Sequence, residues 1–186
     1  MPAKRRSFVA VVKAAEGSLR AARVEHVFVG GLAVAAFGVP RTTTDVDVIV
    51  DYREEDAPRL AESFRHRSFQ VSAEDLRDAS AEGAHCTIHD TLSAFRVDLA
   101  PATRSRAKDA IRHSVRVRWR GSTLPIADPE HTIVMKLVYG SDQDVEDALG
   151  ILVRQRGRLK ARRMREFAGR QGVLKALREL ERRAVE

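Results

Sequence analysis

The chain has 186 residues, 33 Lys and Arg against 26 Asp and Glu, and a net charge of +7. Its length suits one domain with a helical extension, and 44% hydrophobic with 32% charged residues is a globular composition that excludes a disordered chain. No apolar run approaches the ~18 residues of a membrane span, and the lone Cys86 excludes an internal disulfide and points to the cytoplasm.

In chain order, Phe8, Val11, Val12, Ala15, Leu19 and Ala22 recur near helical spacing and predict an amphipathic helix over 7–23. The basic, then apolar start has the outline of a signal peptide, but Lys13 and Glu16 break the apolar stretch. His26–Val29 reads as a short buried strand ending at Gly30-Gly31, and Leu32–Phe37 as a short helix stopped by Gly38 and Pro40. Val46, Val48 and Val50 alternate with Asp45, Asp47 and Asp51, a strand with one apolar and one acidic face. A helix over 56–64 follows, then a mixed region over 68–92 with a strand at Cys86–Ile88. Two more alternating strands are predicted at 94–99 and 113–119, with Leu124–Ile126 pairing to the latter across Gly121-Ser122. From Pro129 the pattern is helical: 129–139 with Asp128 as N-cap, 142–154, then one or two basic helices. The predicted class is a mixed α/β sheet flanked by helices, with the sheet in 1–128 and a helical C-terminal part in 129–186.

The charge is unevenly spread. Residues 154–186 hold 12 Lys and Arg against 4 Asp and Glu, a surplus of 8, whereas residues 1–153 carry a net charge of −1. A basic end is either a surface for nucleic acid or another polyanion, or simply a solvated helix face rich in arginine.

Three features carry chemistry. Gly30-Gly31, between a strand and a helix, lets the backbone approach a ligand, and free amides at a helix start suit a phosphate. Asp45 and Asp47, at i and i+2 on a strand, project to one face, and paired carboxylates repel unless a cation joins them. Hard oxygen ligands of this kind suit Mg²⁺ carrying a nucleotide's phosphates. Asp98, on the polar side of a neighbouring strand, would complete a two-metal site or help deprotonate a hydroxyl. His85, Cys86 and His89 lack a fourth ligand for zinc. Trp119 between two arginines either stacks a base or anchors a sheet to a helix.

With these residues in view, GGLAVAAFGVPRTTTDVDVIV resembles the signature of the polymerase-β-type nucleotidyltransferase superfamily. LPIADPEHTIVMKLVYGSDQDVEDALGIL is similar to its minimal bacterial branch, which includes AbiEii-like and MenT-like toxin nucleotidyltransferases. The resemblance covers residues 20–153. Lys136 matches the branch's lysine, and Asp144 and Asp147 match its two helical acids. Two positions depart from the pattern. The common Gly-Ser turn is Gly-Gly here, so backbone amides must replace the serine hydroxyl, and Gln143 stands where a basic residue is usual.

The resemblance implies in-line transfer of a nucleoside monophosphate from a nucleoside triphosphate to an acceptor hydroxyl. Asp45, Asp47 and Asp98 would hold two Mg²⁺ ions, with Mn²⁺ as a substitute. Gly30, Gly31, Arg41, Thr44, Lys136 and Asp147 would bind the nucleotide, with Lys136 supplying a point charge for the phosphates or the transition state. The bland reading of Arg41 and Thr44 is a polar loop before the strand, and that of Asp144 is an acid favoured by the helix dipole. The basic end favours RNA (tRNA) as acceptor, with protein as the other choice, and a toxin would have a cognate antitoxin partner. The alternatives are a small-molecule nucleotidyltransferase of the antibiotic-modifying kind, and a non-catalytic antitoxin or nucleic-acid-binding module on the same fold.

Overall fold

The segment DVDVIVD is the middle strand of the sheet. A computed structural model describes residues 5–185. In strand β2 (Asp45–Asp51), Val46, Val48 and Val50 are at most 1% exposed, while Asp45 and Asp47 lie half-buried on the other face. This is the alternation the sequence predicts.

Strand β2 pairs antiparallel with β1 (Glu25–Phe28) and parallel with β5 (Arg96–Pro101). Beyond β5, β4 (Cys86–Asp90) and β3 (Phe69–Gln70) continue antiparallel. On the other flank β7 (Ser122–Ile126) runs parallel to β1 and antiparallel to β6 (Val115–Trp119). The order is β3-β4-β5-β2-β1-β7-β6, a seven-stranded mixed sheet of the predicted α/β class. The β6–β7 pair closes one residue earlier than expected, across Arg120-Gly121, with Trp119 opposite Ser122. Both loop residues have positive φ, 46° and 82°, as a tight two-residue hairpin requires.

Helices α1 (Phe8–Ala21), α3 (Ala57–Arg65) and α4 (Ala73–Glu82) pack in succession, and α5 (Ser105–Arg112) lies against β1 and β2. Helix α4 falls in the region read only as mixed. Its signal was the capping box of Ser72 and Asp75, in which each side chain accepts the other residue's backbone N–H.

The strands and these four helices make one compact unit, residues up to Val29 and Thr43–Ile126. The second unit takes Gly30–Thr42 together with the chain from Ala127 onward. Helix α2 (Gly30–Phe37) thus belongs with the C-terminal helices. Those are α6 (Pro129–Tyr139), α7 (Asp142–Arg154), α8 (Ala161–Arg170) and α9 (Leu174–Arg183). The reason is composition: α2 is apolar on nearly every side, and Val34 joins Ile133, Val134, Ile151, Phe167 and Leu177 in a common core. At Gly38 an added Cβ would stand 2.7 Å from Ile151 Cγ1, so the end of α2 meets α7 where only glycine fits.

Asp128 caps α6 as predicted, accepting the His131 N–H at 2.8 Å, with Pro129 in the first turn. Arg163 of α8 donates to both Asp128 and Glu130, and Glu130 also accepts the Lys160 N–H at 2.6 Å. Burial raises the Asp128 pKa, against the His131 N–H and the Arg163 charge, which lower it. No helix among the described residues is long and apolar enough to cross a membrane.

Candidate functional site

In the first unit, β2 and β5 run in register with Asp45 opposite Arg96 and Asp47 opposite Asp98. Register partners on neighbouring strands share a face, so three carboxylates and one guanidinium stand together. The other face explains why they do so. Val46 faces Val97 and Val48 faces Leu99, all at most 1% exposed, and this buried ladder fixes the register of its polar counterpart.

Each outer carboxylate is held from two sides. The Thr44 hydroxyl donates to Asp45 Oδ1 at 3.1 Å, and Arg96 Nη2 lies 3.1 Å from Asp45 Oδ2. The Thr87 hydroxyl of β4 donates to Asp98 Oδ1 at 2.7 Å, and Arg96 Nε donates to Asp98 Oδ2 at 3.3 Å. Three hard oxygen donors on one face fit Mg²⁺ or Mn²⁺ in kind, and Asp45, Asp47 and Asp98 are the residues that would hold it. Among the described residues, no three His, Cys, Asp or Glu side chains are grouped closely enough to hold a metal ion as they stand. The guanidinium of Arg96 stands between two of the three acids. Arg96 and Thr87 were not singled out by sequence. The signal for Arg96 was its position two residues before Asp98 on an alternating strand.

The second unit holds a separate cluster around Asp147, which is 5% exposed. Arg41 grips its carboxylate with Nε and Nη2, each at 3.0 Å, and Lys136 Nζ lies 2.9 Å from Oδ2. Lys136 also donates to Asp144 Oδ1 at 2.7 Å, and the Gln143 amide donates to Asp147 Oδ1 at 3.1 Å. Arg41, Lys136 and Asp147 are thus brought together, joined by Asp144 and Gln143. The left-handed Gly140 ends α6, so the chain turns back and sets Asp144 beside Lys136 eight residues earlier. Asp144 also completes a capping box with Ser141, so its two readings, helix start and site member, hold together.

Burial pushes the pKa of both acids up, yet hydrogen bonds outweigh it and leave each below the ordinary carboxylate range. For Asp144 the donors are Lys136 and Ser141, and for Asp147 they are Arg41 and Lys136. Both acids are therefore ionised at neutral pH, and the cluster sets two basic side chains against two acidic ones. Gly30 and Gly31 open α2 rather than preceding it, and Gly30 has φ 57°, a conformation that favours glycine.

A hollow of about 430 Å³ lies on the flank of the first unit, lined in part by Asp75, Asp78 and Glu82 of α4 and by His85, Cys86 and Thr87. Thr87 is the residue that holds Asp98. Burial pushes the Cys86 thiol up to about 11, helped by the charges of Asp75 and Asp98. Cys86 sits on the buried face of β4 while His89 is exposed on the other, so the two do not share a face.

No family model matches the sequence, and no curated protein matches it. Solved structures do resemble the fold. One is ANT(2″)-Ia in complex with adenylyl-2″-tobramycin, at a TM-score of 0.60 and 13% identity over 88% of this chain and 95% of that one. A candidate nucleotidyltransferase from Thermotoga maritima aligns at a TM-score of 0.50 and 19% identity, covering 75% of this chain and 88% of its own. An antigenic nucleotidyltransferase-like protein from Paracoccidioides brasiliensis aligns at 0.53 and 18%, covering 77% and 73%. The chain therefore has a nucleotidyltransferase fold.

Proposed function

We propose that the chain is a metal-dependent nucleotidyltransferase that moves a nucleoside monophosphate from a nucleoside triphosphate onto an acceptor hydroxyl. The observation that carries this reading is the register of β2 and β5, which sets Asp45, Asp47 and Asp98 on one face of a nucleotidyltransferase fold. A bound Mg²⁺ would supply charge neutralisation at the triphosphate and at the leaving pyrophosphate. The chain's own part is to supply three fixed carboxylates, with Thr44 and Thr87 fixing the orientation of the outer two. Asp98 would orient the acceptor hydroxyl and take its proton. Asp147 and Asp144 hold Arg41 and Lys136 in fixed positions, from which both cations would meet the phosphates together with the backbone amides at Gly30 and Gly31.

For the acceptor, the surplus positive charge beyond residue 153 supports RNA. From Arg154 to Arg165 the chain carries seven Lys and Arg and no acid. This is also the feature that a toxin acting on tRNA would need, with an antitoxin as its partner. A second reading has its own observation. The acid-lined hollow beside Thr87 suits a cationic small molecule, the class of acceptor seen in the adenylyl-tobramycin complex of ANT(2″)-Ia.

The test is incubation with each of four labelled nucleoside triphosphates and Mg²⁺, with total RNA, a protein lysate or an aminoglycoside panel as acceptor. Label in the RNA supports the first acceptor, label in an aminoglycoside the second, and label in protein the remaining choice. No label in any arm, beside an active control enzyme, favours a binding module on the same fold.

A further inference from the structure

Arg96 bridges two acids of the β2–β5 face. Its Nη2 is 3.1 Å from Asp45 Oδ2 and its Nε is 3.3 Å from Asp98 Oδ2. The second oxygen of each acid is already taken, by Thr44 and Thr87 respectively. Arg96 therefore takes one lone-pair position on each of these two acids, in competition with any metal they would hold. Its side chain is 47% exposed, against 30% for Asp45 and 18% for Asp98, so it can leave toward solvent while the acids stay fixed. A guanidinium cannot lose its proton at any ordinary pH, so displacement is its only way to give up this place.

From this geometry we infer that Arg96 is a built-in competitor for the divalent cation: it neutralises Asp45 and Asp98 in the metal-free protein and is displaced from them when metal binds. The inference rests on the reading that these carboxylates hold a metal. It makes Arg96 a positioning residue that neutralises two acids already held by the strands and holds metal affinity low. A purely structural arginine would act in the opposite sense, because losing it would scatter the acids and weaken metal binding.

The test is calorimetric titration of the full chain with Mn²⁺ and Mg²⁺, without nucleotide, for the native protein, Arg96→Gln and Arg96→Lys. Removing two half-exposed ion pairs predicts metal binding about fivefold tighter in Arg96→Gln, with Arg96→Lys in between. Arg96→Gln should also melt lower than the native protein in EDTA, and the gap should narrow in Mg²⁺. Equal or weaker binding in Arg96→Gln, where the native protein does bind metal, overturns this inference and leaves the functional reading standing. Absence of binding in every form overturns this inference, and the functional reading is then judged by pyrophosphate release with nucleoside triphosphate and Mg²⁺. Should Arg96→Gln fail to fold, the Arg96 Nε–Hε resonance of the native protein decides, assigned by its loss in Arg96→Lys. It must shift as metal saturates, and an unmoved resonance at saturation overturns the inference.

Discussion

Asp47 and Asp98 stand opposite one another across two parallel strands, in a register fixed by the buried valine and leucine ladder on the reverse face. Two acids so placed are unfavourable neighbours in water. Their assembly is sustained by the apolar side of the same strands, since a one-residue slip would turn Val46, Val48 and Leu99 out of the core.

Asp147 is the hinge of the second cluster. Asp147→Ala leaves Lys136 and Arg41 without their shared anion, and the variant should lose about 2–3 kcal/mol in a denaturant titration. Arg41 is one-third exposed and can regain water, which holds the loss to that range. Asp147→Asn should recover only part of it, because the amide keeps the shape without the charge.

Acid should weaken this unit in a defined way. Asp144 and Asp147 have folded pKa values below their unfolded ones, so the folded state binds fewer protons than the unfolded chain. Their stabilisation is complete above the unfolded carboxylate range and is lost as pH falls through and below it. Urea unfolding from pH 7 to pH 3 should show a falling midpoint. Lys136→Met, which removes a cause common to both shifts, should have a shallower slope there.

Gly38→Ala tests the approach of α2 to α7. The added methyl meets Ile151 at 2.7 Å, and the overpacking should cost about 1–3 kcal/mol, read as a lower Tm. Adding Ile151→Val should not recover the loss, since valine keeps the Cγ1 carbon that the new methyl meets.

The sequence made some of this legible and hid the rest for physical reasons. The acidic strand was readable because period-two alternation places its valines and aspartates without reference to any partner. Asp128 and Pro129 announced the start of α6 through local capping chemistry. By contrast, Arg41 and Asp147 lie 106 positions apart, and nothing local records that one grips the other. Arg96 shares a strand face with Asp98, but alternation alone does not tell an arginine that bridges two acids from one that faces solvent. The placement of α2 with the C-terminal helices was also hidden, since an apolar helix does not disclose which core it joins.

The central claim is that the β2–β5 carboxylates run metal-dependent nucleotidyl transfer. Pyrophosphate release from nucleoside triphosphates, measured with Mg²⁺ and with EDTA in the presence of cell extract as acceptor source, tests it most directly. The native protein should release pyrophosphate in step with label transferred, and only with the metal. Asp47→Asn should fall by about 100-fold or more with an unchanged circular dichroism spectrum. Release by Asp47→Asn at the native rate, or release that persists in EDTA, would contradict the account.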